Sequence, residues 1–313
     1  MLHLQLRVPG DRVQDVVDLF DRDETVTNVA VFENGYTKPP GTMVIADVAR
    51  EGANPVVAAL HRLGLRHDGS IMLSEPSTLI SDAAVEAEHA APGEPDDGVV
   101  WDVVENRVDK ESRLSWSFCA FLTLATLIAG AGRLLDQQIL IVGAMVVGPE
   151  FSPVAAICVA LARGRPGLLR QGASTLALGY VLAIAIATPL WFLAFLTGGV
   201  SAHDAANGQA TAFIIQPGVW SFLIAVLAGI AGVLALTSSK SGTLIGVFIS
   251  VTTVPAAGTI ALCIGTGVWW EVNNAAIQLG VNLLGLILAG TATLLVQRVV
   301  WSRIVPTGRV RTF

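Results

Sequence analysis

The chain has 313 residues, of which 53% are hydrophobic and only 14% charged, with a mean hydropathy of +0.63. That is too apolar for an ordinary soluble domain and points to a polytopic membrane protein. The charge is divided: residues 1–113 carry 21 acids and 10 bases, net −11, and residues 114–313 carry 4 acids and 9 bases, net +5. An acidic N-terminal body argues against nucleic-acid binding.

The first 80 residues alternate between two periodicities. "LHLQLRV", "VTNVAVFEN", "GTMVIADV" and "GSIMLSE" read as strands, and "DRVQDVVDLFDR" and "ANPVVAALHRLGL" as helices. Strand, helix, strand, strand, helix, strand is the split β-α-β plan of ferredoxin-like α+β domains, predicted over residues 1–81. It is similar to small regulatory domains of the amino-acid-binding type, so either a ligand sensor or a docking module is open here. His61 and His67 have no metal-spaced partner and read as surface residues. No cleavable signal peptide begins the chain. Residues 82–98, "DAAVEAEHAAPGEPDDG", read as an acidic linker. Residues 99–114 place Val100, Val103, Val104 and Val108 on one side of an amphipathic connecting helix.

A hydrocarbon core about 30 Å thick needs roughly 20 helical residues. Six transmembrane helices are predicted, at about 116–132, 138–162, 172–197, 219–237, 243–268 and 275–297. Arg163, Arg165 and Arg170, then Lys240, then Arg298, Arg303, Arg309 and Arg311 mark cytoplasmic connections and a basic tail at 299–313; Arg133 is balanced by Asp136. Both termini are therefore expected on the cytoplasmic side of the cell (inner) membrane. Trp191, Trp220, Trp269, Trp270 and Trp301 near segment ends read as interfacial anchors. Cys119, Cys158 and Cys263 read as packing residues.

The two halves of this region, 115–200 and 219–298 on either side of an outer loop at 201–218, resemble each other. "WSFCAFLTLATLIAG" from Trp116 recurs as "WSFLIAVLAGIAGVL" from Trp220. "GAMVVGPEFSPVAAICVAL" from Gly143 has its counterpart in "GVFISVTTVPAAGTIALCI" from Gly246. Three spans per copy make this an inverted-topology repeat, with helices two and five broken by Pro149, Pro153 and Pro255. In such folds a substrate lies near the midplane between the paired breaks. The candidate substrate or ion site is therefore Gly148, Pro149, Glu150, Ser152 and Pro153 with Ser250, Thr252, Thr253 and Pro255. Asn282 is either a ligand contact or interhelical glue. Glu150 lies mid-span, where an ionisable side chain is costly and points to function; a carboxyl satisfying backbone donors at the break is the structural alternative.

The run Ser112–Gly172, through Gly143, Ala144, Met145, Pro149, Pro153 and Gly164, with Val254 and Pro255 later, resembles a bacterial and archaeal membrane family catalogued as domain of unknown function 389. The resemblance covers roughly residues 105–297. It implies a polytopic membrane protein with a soluble N-terminal domain and lends no catalytic residue or substrate. Ala256 stands where the family pattern has a second proline, and Glu150 where many relatives have a neutral residue such as Leu.

A secondary transporter of a small solute by alternating access, with H+ or Na+ coupling through Glu150, is the function expected; the alternative is a membrane-anchored metabolite sensor or scaffold. Neither GxSxG, HExxH nor a Walker motif occurs, so neither an enzyme nor a cofactor is expected. The partners expected are a small molecule or ion, membrane lipid and further copies of the chain.

Overall fold

The computed structural model describes residues 1–76, 78–91, 93, 98–206, 211, 218–238 and 253–304, with the side chains of 301–304 left aside. Two compact units divide the chain, one built on Met1–Val104 and the other on Glu105–Leu236 with the described residues up to Val296.

The first unit contains a four-stranded antiparallel sheet of order β2-β3-β1-β4. Its strands are β1 (Leu2–Val8), β2 (Val26–Thr37), β3 (Pro40–Val48) and β4 (Ser70–Ser74). Helices α1 (Val13–Asp21) and α2 (Ala53–Arg62) interrupt them, and the single turn α3 (Leu65–Asp68) follows α2. Period-two alternation sends every second side chain of β1 to one face. Leu2, Leu4, Leu6 and Val8 thus enter a core with Val16, Phe20, Val44, Val48, Val56 and Leu60. Gly64 joins α2 to α3 at φ 79°, a left-handed conformation that glycine adopts without steric cost.

Residues 82–90, expected within a linker, instead form helix α4 (Asp82–Ala90). Ser81 caps it by accepting from the Ala84 N–H at 3.3 Å, and Ala84 and Ala87 are buried. The acidic face had masked two apolar contacts at helical spacing. The connecting helix is α5 (Trp101–Glu111).

The second unit is helical: α6 (Trp116–Leu134), α7 (Gln138–Val147), α8 (Phe151–Arg163), α9 (Pro166–Leu196), α10 (Ala202–Ala206), α11 (Val219–Thr237), α12 (Val254–Thr266) and α13 (Trp269–Ile304). Four of these, α6, α9, α11 and α13, are long and apolar enough to cross a membrane, and the α7–α8 pair, bent by 57°, makes a fifth candidate. The predicted fifth span survives here only as α12, because residues 243–252 lie outside the described set, as do Lys240, Arg309 and Arg311.

The element lengths keep step along this unit. Helices α6 and α11 each have 19 residues, starting at 116 and 219. Helices α8 and α12 each have 13, starting at 151 and 254, and end at left-handed Gly164 and Gly267. The long helices α9 and α13 begin at 166 and 269. Each pair is separated by the same 103 residues as Glu150 and Thr253.

Small residues set the helix packing. A Cβ on Gly258 of α12 would lie 2.6 Å from Ala129 Cβ and 2.7 Å from Gly130 N, both on α6. Trp191 differs from its expected interfacial role: its ring packs against Gly130 of α6 and joins the cluster of Leu262, Cys263 and Val268. Trp116, Trp220, Trp269 and Trp270, in contrast, are exposed near helix starts.

Candidate functional site

Helix α7 ends because Gly148 turns extended (φ −68°, ψ 129°) and Pro149 supplies no N–H to continue the ladder. The chain resumes at Glu150, which precedes α8, and the two halves diverge by 57°. Thr253 stands directly ahead of α12, as Glu150 does ahead of α8, with Pro255 in the first turn of α12.

The break after α7 lies against the start of α12. The Thr253 hydroxyl donates to Glu150 Oε1 at 3.1 Å, with Glu150 2% exposed and Thr253 fully buried. A Cβ on Gly148 would fall 2.3 Å from Glu150 Oε2 and 2.8 Å from Val254 Cγ2, so only glycine leaves room for the carboxyl beside the first residue of α12. Helices α8 and α12 both begin at this junction, and the partial positive charge of a helix N-terminus favours a carboxylate there. From α9, the buried Tyr180 stands beside Glu150 and Thr253.

Other residues singled out in the sequence are distributed more widely. Pro153 and Pro255 are buried in the first turns of α8 and α12. A Cβ on Gly172 would lie 2.8 Å from the Pro153 carbonyl oxygen, so α9 crosses the break closely. Ser152 turns away and donates to Glu111 Oε2 of α5 at 3.1 Å. Asn282 belongs to a separate buried cluster between α11 and α13, accepting from Ser221 at 3.0 Å and from Gln278 at 3.4 Å. The Ser221 contact joins two helices, as interhelical glue does. Ser250 and Thr252 lie outside the described residues.

Two features escaped sequence reasoning. Tyr180 sits in an apolar helix, where an aromatic reads as packing. Arg133 reads as a loop residue balanced by Asp136, yet it is 3% exposed. It donates to Thr211 Oγ1 at 2.9 Å and to the Ala206 carbonyl at 3.0 Å. Asp136 accepts from both the N–H and the hydroxyl of Thr211. Burial there is supplied by a segment more than 70 residues away, which no local pattern announces.

Among the described residues no group of three or more His, Cys, Asp or Glu is placed to hold a metal ion. The described groups at the junction include one carboxyl group, two hydroxyls and two helix N-termini.

Residues 145–288 match a family model described as a domain of unknown function (DUF389). An uncharacterized protein of Methanocaldococcus jannaschii is 26% identical over 175 residues, covering 56% of this chain and 52% of the relative. The chain thus spans about half the length of the curated relative it matches. No solved structure matches. The matched region contains Glu150, Tyr180, Thr253 and Asn282, and starts three residues before Gly148.

Proposed function

We propose that this DUF389-domain membrane protein is a secondary transporter of a small solute, in which the junction of the two broken helices is the midplane site. The observation that carries this reading is the hydrogen bond between Glu150 and Thr253, two residues at equivalent positions of the two halves. In inverted-repeat transporters the substrate and coupling-ion sites form where paired discontinuous helices face each other, and alternating access is the motion of one repeat against the other.

The equal helix lengths and the constant step of 103 residues support reading residues 115–200 and 219–298 as inverted three-helix repeats. The remaining span of the six is the one that contains α12, its earlier residues lying outside the described set. The strand order β2-β3-β1-β4 and the two crossover helices support a ferredoxin-like module over residues 1–81. Arg163, Arg165 and Arg170 support cytoplasmic termini in the inner membrane, and the exposed Trp116, Trp220, Trp269 and Trp270 support contact with the lipid interface. Homo-oligomerisation is part of the same proposal, resting on the small-residue helix faces alone.

The test is a thermal-shift screen of the purified full chain against amino acids, other metabolites, nucleotides and Na+ at two pH values, beside Glu150→Gln. A ligand that binds the folded state raises its apparent stability by mass action. A stabilising solute whose effect is lost in Glu150→Gln supports the midplane site. A shift that Glu150→Gln leaves intact, and that a substitution in the N-terminal sheet abolishes, moves the function to a membrane-anchored sensor.

A further inference from the structure

We propose that helix α5 is a brace that sets the position of α8, and that Glu105 and Glu111 are the positioning residues through which it acts on the junction at Glu150. The proposal deepens the transporter reading, on which it rests for what a movement of α8 accomplishes, by naming what holds the helix that follows the break. Within the second unit, two carboxylates of α5 grip α8 near both of its ends. Glu105 accepts from Arg163, the last residue of α8, at 2.7 Å and pairs with Arg165 just beyond it at 3.2 Å. Glu111 accepts at 3.1 Å from Ser152, in the first turn of α8 and two positions after Glu150.

The order of these contacts fixes the direction of packing. The earlier α5 residue meets the end of α8 and the later one meets its start, so the two helices run antiparallel. Ser152 to Arg163 is about 16 Å of helix and Glu105 to Glu111 about 9 Å, a difference that the long arginine side chain spans. Glu105 and Glu111 stand one helical turn either side of Val108, flanking the stripe that α5 buries through Val108 and Ser112. A third contact closes the corner: Gln171 of α9 donates to the Asp109 carbonyl at 2.8 Å and to the Ser112 hydroxyl at 3.0 Å. The next residue, Gly172, is the one that lets α9 approach the Pro153 carbonyl. The first turn of α8 is thus held between α5 and α9.

The grip is made of charges and hydrogen bonds, so it can be released without unpacking an apolar core. The Arg163 and Glu105 side chains are 28% and 18% exposed, which leaves their pairing less screened than that of a surface pair. Glu111 is also bound by Arg107 one turn back at 3.1 Å, which fixes its direction, and a charged acceptor makes the stronger bond to the Ser152 hydroxyl. Arg113 pairs instead with Asp109 at 2.6 Å, and Lys110 is exposed. On its other side α8 is seated against α13: Cys158 donates to the Ile287 carbonyl at 3.6 Å, and its Sγ lies 2.8 Å from where a Cβ on Gly290 would stand. The buried Cys158 thiol therefore reports whether α8 is seated.

Labelling of the full chain in lipid with N-ethylmaleimide, read at each cysteine by peptide mass spectrometry, tests this without any flux or ligand measurement. A failure here is therefore distinct from a failure of the transporter reading. Glu105→Ala should speed the labelling of Cys158 about tenfold and Glu111→Ala about threefold, while the buried Cys263 of α12 stays as slow as in the wild type. Ser152→Ala added to Glu111→Ala should bring no further gain, because both remove the same hydrogen bond. Lys110→Gln, on the exposed side of the same helix, should match the wild type. Four results overturn the proposal: Cys158 unchanged when Glu105→Ala and Glu111→Ala are combined, Cys158 and Cys263 gaining together as in a general loosening, a further gain from Ser152→Ala, or an equal gain in Lys110→Gln.

Discussion

Glu150 and Thr253 are each other's neighbours across 103 residues of chain, and the hydrogen bond between them is the smallest unit on which the proposed transport function rests. Thr253→Val removes a donor to a buried carboxyl and is expected to destabilise the protein by about 1–3 kcal/mol, read as a lowered unfolding midpoint that Thr253→Ser restores. Gly148→Ala sets a methyl group 2.3 Å from Glu150 Oε2. It should abolish any ligand stabilisation that depends on Glu150, checked in the same thermal-shift screen. In the N-terminal unit, Glu51 is 3% exposed with neither carboxyl oxygen hydrogen-bonded among the described residues. Burial, with Glu88 nearby, raises its pKa above the ordinary carboxylate value. A raised folded-state pKa contributes stability that is complete below the unfolded value and is lost as pH rises through the folded one. Glu51→Gln should therefore flatten that loss and leave the protein more stable than wild type at neutral pH, measured as unfolding midpoint against pH. Glu150 was legible in the sequence because a carboxyl among apolar residues and prolines has few ordinary explanations. Tyr180 was not, since its hydroxyl matters only through neighbours brought in from α8 and α12.

Helices α8 and α12 correspond in length and in ending: both have 13 residues and both end at a left-handed glycine. The break at Gly148 was readable from Pro149, whose missing N–H ends α7, whereas Pro189 is carried inside α9 and Pro255 sits in the first turn of α12. The long reach of α9 to Pro166 and of α13 to Trp269 was less readable, because polar residues at their starts fall outside an apolar window but remain helical. Helix α4 was missed for the converse reason: acidic, alanine-rich sequence next to Pro and Gly reads as a linker until Ser81 and two buried alanines give it a cap and a face. Helix α12 can lie against α6 only because Gly258 has no side chain. Gly258→Leu is expected to prevent that approach and to leave little monodisperse protein in size-exclusion chromatography, whereas Gly280→Ala, where a Cβ meets nothing within 4 Å, should be tolerated.

At the level of the whole molecule, composition divides the chain into an acidic N-terminal part, net −11 over residues 1–113, and an apolar remainder. The substrate is not written in the residues at the junction, since a carboxyl and two hydroxyls serve many solutes. Alternating access does make a demand that no anchor or scaffold makes: the junction must open to each side of the membrane in turn. The most direct measurement is the reactivity of Thr253→Cys, with Cys119, Cys158 and Cys263 replaced by Ala, toward a membrane-impermeant thiol reagent applied from either side of oriented vesicles. Labelling from both sides, with reaction from one side blocking the other, is the result expected of a midplane site that opens alternately. A cysteine that stays unreactive from both sides, or reacts from one side only under all conditions of pH and solute, would contradict the transporter reading.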